Sequence, residues 1–355
     1  MPTLNNVGMP EDQDPPRRPG PTPPQEAAAA AHRALPRDFG SVTALVRREL
    51  ARPVPDATVA LVAHLRERFG DALAGVLLYG SCLRSGDLRD GLVDLYVVVD
   101  SFSRAYRSRA LRLGNRLLPP NVFYLEIPLE SDSRSGRGDI LRSKYAVVSM
   151  AQLRRGCASW FHPYLWARFA QPARLAYARD ADAEKDVVDA VAAAPVRFLA
   201  ETHPLLADEE PFPATELWRA GLARSYAAEL RPERNRAETL VALNHEYLES
   251  LTRAAQPALP ELEPAPGGRY RSRAGARGRR RARRRWGLRR LQGRLLSVLR
   301  LTKAATTFEN GLDYLAWKVA RHTGERIDVT PELRRRPLLR GFRLLRSLLR
   351  RGTIR

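Results

Sequence analysis

Two cysteines in 355 residues, Cys82 and Cys157, are too few for a disulfide framework, and no Cys/His group stands at zinc spacing. A reducing compartment fits that usage. No apolar run approaches the roughly 18–20 residues that a membrane span needs. The opening stretch, Met1 to Gln25, lacks the apolar core of a signal peptide, and Glu11, Asp12 and Asp14 are foreign to an acid-poor transit peptide. Lysine is scarce as well: Lys144, Lys185, Lys303 and Lys318 stand against 56 arginines, a bias that points to a GC-rich coding sequence and a bacterial source. There is no internal repeat. What is present is a 44% hydrophobic chain, enough for a real core over two or three domains. Its net charge of +21 is unevenly placed: residues 256–355 hold 27 basic and 7 acidic residues, while the rest is nearly balanced. Whatever acidic partner the protein meets, it meets it there.

Nine prolines in residues 1–37 mark a disordered leader. A short helix is expected from Ser41 to Ala51. Asp56 then caps a helix with Val59, Val62, Leu65 and Phe69 on one face. Gly75 to Tyr79 reads as a buried strand, followed by strands over Leu92–Asp100, Asn121–Ile127 and Ile140–Val148. A basic helix, Ser103 to Leu118, precedes the break at Pro119-Pro120. From Met150 the pattern is helical, with an aromatic-rich helix over Trp160–Phe169 and periodic stretches near 183–202, 214–230 and 235–254. The expected organisation is an α/β domain over 38–150 with a mixed sheet, and a helical domain over 151–255. A Pro/Arg-rich linker over 256–287 and a basic amphipathic helical tail over 288–355 complete it.

Chemistry is concentrated where Gly80-Ser81 ends one buried strand and Val93-Asp94-Leu95-Tyr96 lies on the next. This is the layout of the nucleotidyltransferase superfamily. A glycine lets backbone approach a triphosphate, and its N–H groups and the Ser81 hydroxyl donate to phosphate oxygens. A strand carboxylate, Asp94, holds Mg²⁺. The bland alternative is a strand–turn–strand with Asp94 as a polar edge residue. The usual Asp-x-Asp is broken here by Tyr96. Asp100 shares the face of Asp94 but lies about 20 Å away along a straight strand, and reads better as the N-cap of the next helix. Glu126, on the third strand, is the candidate second metal ligand. Asp87 and Asp90 read as turn residues. Lys144 is the candidate phosphate partner, or else an edge lysine guarding the sheet. Arg84 is within reach of a triphosphate.

Together and in order, Gly80-Ser81, Val93 to Asp100, Val122-Phe123-Tyr124, Lys144 to Ser149 and Trp160 to Pro172 resemble the mitochondrial-type phosphatidate cytidylyltransferases. The resemblance spans residues 60–240, with a weaker echo over 296–323. It implies a nucleotidyltransferase domain, a winged-helix-like helical domain and a membrane-contacting C-terminal segment. It also implies a reaction that makes CDP-diacylglycerol from CTP and phosphatidate with Mg²⁺. The family likewise has an aromatic residue where Tyr96 stands. The Pro-rich leader and the Arg tract depart from it. A phosphate monoester arrives already ionised, with a second pKa near about 6. Such a nucleophile needs fewer carboxylates than a hydroxyl does.

The tail has two features. Residues 269–290 carry twelve arginines, and Leu338, Leu339, Phe342, Leu345, Leu348 and Leu349 form an apolar stripe beside further arginines. Leu288 to Leu301 repeats the pattern. Alternating arginine and leucine suits an interfacial helix on anionic lipid. The bland reading packs the leucines on the protein itself, and an Arg tract also suits nucleic acid. The expected setting is peripheral, at the cytoplasmic face of a membrane. The alternatives are another nucleotidyltransferase acting on a different phosphorylated lipid or RNA end, and an inactive nucleotidyltransferase-like RNA- or membrane-binding module.

Overall fold

β1 (Leu73–Tyr79) is buried at every position. An uninterrupted apolar run requires this, because with no polar side chain to turn outward both of its faces must be covered. Its neighbours are β2 (Leu92–Val99), β3 (Asn121–Pro128), β4 (Ile140–Ser149) and β5 (Arg174–Ala178), in the spatial order β3-β4-β2-β1-β5. β2 and β4 run parallel, and the other pairs are antiparallel. The computed structural model describes residues 41–80, Leu83, 92–128, 140–207, 210–229 and 236–307. These belong to one unit, Pro36–Arg355; the expected leader and the Leu338–Leu349 stripe lie outside the described residues.

Helices cover both faces of the sheet, so the fold is α/β with a mixed sheet. α1 (Val42–Leu50) is capped by Ser41, whose hydroxyl accepts from Ala44 N–H. α2 (Ala57–Phe69) buries Leu61, Val62, Leu65 and Phe69 against the face that carries Val76, Leu78, Val93, Leu95 and Val97. Val59, expected on that stripe, is 66% exposed; the contact line runs through Thr58 and Leu61 instead. Asp56 stands at the N-cap position without a capping hydrogen bond.

The basic helix expected over 103–118 is two helices, α3 (Phe102–Ala105) and α4 (Arg109–Leu117). Tyr106 interrupts them by turning inward against the rings of Phe69 and Phe123. Ser101, not Asp100, caps α3: its hydroxyl accepts from Arg104 N–H.

The opposite face, with Leu77, Tyr79, Tyr96, Val98, Ala146 and Val148, is covered by a larger helical layer. It comprises α1, α5 (Met150–Ala158), α6 (Trp166–Phe169), α7 (Ala181–Thr202), α8 (Ala214–Ala228), α9 (Arg236–Leu243) and α10 (His245–Ala255). The aromatic helix expected over 160–169 shortens to α6. Before it, side chains serve the backbone: Trp166 Nε1 donates to Trp160 O and Tyr164 N to His162 Nδ1. β5, within the stretch read as purely helical, joins the sheet beside β1.

Residues 256–287, expected as a linker, hold regular structure. β6 (Leu262–Ala265) and β7 (Arg269–Ser272) pair as a hairpin, and α11 (Gly275–Thr307) follows. Buried Leu262 and Tyr270 anchor the hairpin, and Tyr270 exchanges two backbone hydrogen bonds with Phe212. Composition alone hid this, since prolines are compatible with short edge strands. The expected linker–tail boundary at 287/288 falls inside α11.

Ala282, Trp286, Arg289 and Gly293 form the buried line of α11. Arg289, fully buried, meets Glu201 at 2.6 Å, donates to Phe161 O and lies against the rings of Phe161, Trp166 and Trp286. A β-carbon at Gly293 would stand 2.0 Å from Ala228 O, so the helix can approach only there as glycine. Further along, Arg300 Nε donates to Pro119 O, and Lys303 Nζ donates to Leu118 O, Pro120 O and Asn121 Oδ1.

Candidate active site

The end of β1 and the start of β2 meet at one polar spot. Tyr79 pairs with Asp94 in the antiparallel register, and Asp94 pairs with Lys144 in the parallel one. Residues directly opposite in a sheet point to the same side, which puts all three on the face toward the helical layer. Lys144 Nζ stands 3.1 Å from Asp94 Oδ1, an atom that is itself buried and receives no well-angled hydrogen bond. Gly80 closes the other side. Its φ is +95°, a region that L side chains rarely adopt, and a β-carbon there would come 2.8 Å from Asp94 Oδ2.

Gly80, Asp94 and Lys144, separated by up to 64 positions in sequence, are thus one cluster. Ser81 and Arg84, with Asp87 and Asp90, lie outside the described residues. Glu126 does not join. β4 lies between β3 and β2, so the residue opposite Lys144 on β3 is Tyr124, and Glu126 sits two positions further along. Its carboxylate accepts from Tyr124 Oη at 2.7 Å and from Arg142 Nε at 3.0 Å. Asp100, at the far end of β2, is held by Arg104 and Arg179.

Tyr96 stands two residues after Asp94 on β2. It is a core residue, its ring 5.0 Å from those of Tyr79 and Phe169. Burial, with the Tyr164 hydroxyl beside it, holds its phenol protonated well above the ordinary range.

No match is found for this chain among protein-family models or curated proteins.

Tyr79 and Arg168 belong to this neighbourhood too, though neither stands out as a site residue in the sequence. Tyr79 lies under the Arg168 guanidinium, 4.9 Å from its ring centroid. Burial and Asp94 push the Tyr79 phenol up, while Arg168 and Lys144 pull it down. Arg168 is anchored by Glu229 at 3.2 Å and also faces Tyr164. Desolvation opposes its charge, but Tyr79 and Glu229 hold the guanidinium protonated well above its ordinary value. Tyr79 is legible as the last residue of an apolar run whose hydroxyl must find a partner. Arg168, one of 56 arginines, carries no such signal.

Among the described residues, no group of three or more His, Cys, Asp or Glu side chains gathers as a metal cage. Asp94 alone is suited to an ion that takes its remaining ligands from phosphate oxygens and water, as Mg²⁺ commonly does. No helix among the described residues is long and apolar enough to cross a membrane. α11 turns Leu288, Leu291, Leu295 and Leu299 outward, each 45–69% exposed, and has no acidic residue.

Proposed function

We propose that the chain is a nucleotidyltransferase that transfers a cytidylyl group from CTP to phosphatidate at a membrane surface, giving CDP-diacylglycerol and pyrophosphate. The observation that carries the reading is the Gly80–Asp94–Lys144 cluster: a left-handed glycine turn packed on a strand carboxylate with an ammonium beside it. The choice of CTP and phosphatidate rests on the resemblance of the motifs, as do the nucleotidyltransferase and winged-helix names for the two halves.

In this reading the Gly80 turn, continued by Ser81, cradles the triphosphate. Lys144 offsets phosphate charge, and Arg84 reaches the same group. Asp94 holds Mg²⁺, which when bound would neutralise phosphate oxygens and stabilise departing pyrophosphate. An acceptor phosphate oxygen forms a bond to the α-phosphorus as the bond to the bridging oxygen breaks, and pyrophosphate leaves with the electron pair. The acceptor is already an oxyanion, so no base has to remove a proton. That agrees with a site where Tyr96 replaces the second carboxylate. The outward leucines of α11, on a helix with many arginines and no acidic residue of its own, suit the anionic surface that presents the lipid.

A second reading is favoured by the Asp94–Lys144 ion pair, which already occupies the carboxylate: an inactive nucleotidyltransferase-like module that binds membrane or RNA through its arginines. One experiment separates the two. Pyrophosphate release is measured with each of the four nucleoside triphosphates, Mg²⁺ and phosphatidate vesicles. Release with CTP that requires phosphatidate and vanishes in Asp94→Ala, with vesicle binding retained, supports the transferase. Silence with every nucleotide, in protein that still binds vesicles, overturns it for the module.

A further inference from the structure

The polar cluster does not stop at Lys144. A line of contacts leads from it across the helical layer to α11: Asp94 opposite Tyr79, Tyr79 under Arg168 at 4.9 Å, Arg168 beside Tyr164 at 5.7 Å, Tyr164 under Arg300 at 4.1 Å. Structural roles account for part of this line only. Glu229 anchors Arg168 through Nη2, yet Arg168 Nε is buried without a hydrogen bond. The buried Tyr96 hydroxyl, facing Tyr164, likewise has no hydrogen bond of ordinary geometry. Donors without acceptors, beside a guanidinium oriented by a fixed carboxylate, are what a tetrahedral dianion needs.

We infer that Tyr79, Tyr164 and Arg168 form the subsite for a phosphate monoester, the attacking group of the acceptor. The assignment rests on the transferase reading for its catalytic meaning, but not for its binding chemistry. Direction separates this subsite from the triphosphate's. The Gly80 turn lies at the end of β1, whereas the Tyr79–Arg168–Tyr164 line runs away from that turn to Arg300 on α11. Tyr79, adjacent in sequence to Gly80, stands where the two phosphates meet.

The test uses the full chain and the isosteric variants Tyr79→Phe and Tyr164→Phe, because Arg168→Gln would strand Glu229 and risk the fold. Binding of radiolabelled glycerol 3-phosphate, and of CTP with Mg²⁺, is measured by equilibrium dialysis. In parallel, KM for phosphatidate in vesicles and KM for CTP are determined. Each lost hydroxyl is expected to weaken glycerol 3-phosphate and raise KM for phosphatidate by about ten-fold, the loss of one charge-assisted hydrogen bond, leaving CTP unchanged. An effect on phosphatidate in vesicles but not on glycerol 3-phosphate would show that the hydroxyls contact the lipid rather than its phosphate, overturning the assignment. Equal weakening of CTP and acceptor, no change in either, or no binding of glycerol 3-phosphate to wild type would also overturn it. If wild type turns over no nucleotide yet binds glycerol 3-phosphate through these hydroxyls, the transferase reading fails and the subsite stands.

Discussion

Gly80 and Asp94 are fitted to one another: a β-carbon at position 80 would stand 2.8 Å from Asp94 Oδ2, and the backbone there turns through a φ of +95°. Two demands, one conformational and one steric, therefore fall on the same glycine. The turn that follows β1 and the carboxylate that opens β2 are a single piece of geometry.

Gly80→Ala tests that relationship. Adopting a left-handed conformation with a side chain costs about 1–2 kcal/mol, to be read as a loss of unfolding free energy. Displacing the carboxylate is expected to lower pyrophosphate release by about 100-fold. Vesicle binding is expected to stay unchanged. Full activity in the alanine variant would show that Asp94 tolerates being moved.

Tyr96 separates packing from chemistry. Tyr96→Phe removes a buried hydroxyl that makes no hydrogen bond of ordinary geometry, so stability is expected to change by less than about 1 kcal/mol. Tyr96→Asp places a carboxylate in the aromatic core and is expected to cost about 3 kcal/mol or more, without raising turnover. Chemical denaturation and initial rates check both. A gain in turnover on Tyr96→Asp would mean that the site wants a second carboxylate after all.

Two buried histidines set an acid limit on stability. Burial lowers His162 and His203 to about 4 from an ordinary 6.5, with Arg300 and Arg289 adding to the shift at His162 and Glu229 opposing it. The unfolded chain takes up these protons near pH 6.5 and the folded chain only near pH 4. Their stabilisation is therefore complete above about pH 6.5, falls between 6.5 and 4, and is flat below. Each histidine contributes on the order of 3 kcal/mol across that window. Melting temperature against pH is the measurement, and His162→Gln with His203→Gln is expected to flatten the slope.

The outward face of α11 is testable without disturbing the fold. Leu291 and Leu295 are 69% and 60% exposed, so Leu291→Glu with Leu295→Glu is expected to leave the melting temperature nearly unchanged. Affinity for vesicles rich in anionic lipid is expected to fall by more than about ten-fold, since each inserted leucine is worth roughly 1.5–3 kcal/mol. Unchanged affinity would return these leucines to an incidental role.

Much of the fold is legible in the chain. Strands β1 to β4 stand within two residues of their expected bounds, because apolar runs closed by Gly80 and by Pro119-Pro120 leave little choice. The helices α7 and α8 lie where 3.6-residue periodicity puts them, while the single stretch expected over 235–254 divides at Asn244 into α9 and α10. Failures came where tertiary contacts overrode local pattern: Tyr106 drawn into the core, Val59 turned out, the 160–169 helix cut short, and a hairpin and long helix in place of a linker.

The sequence by itself determined that Gly80 closes a buried strand, that Asp94 opens the next, and that the positive charge collects after residue 255. These are local properties, written in single residues and their neighbours. Only the tertiary structure decided which side chains meet. Strand order put β4 beside β2, bringing Lys144 to Asp94 and separating Glu126 from it. The helical layer brought Arg168 over Tyr79, and α11 folded back onto the body through Arg289 and Gly293. Strand order and helix docking are set by the burial of whole faces, a sum over many residues far apart in the chain, and no local pattern encodes that sum.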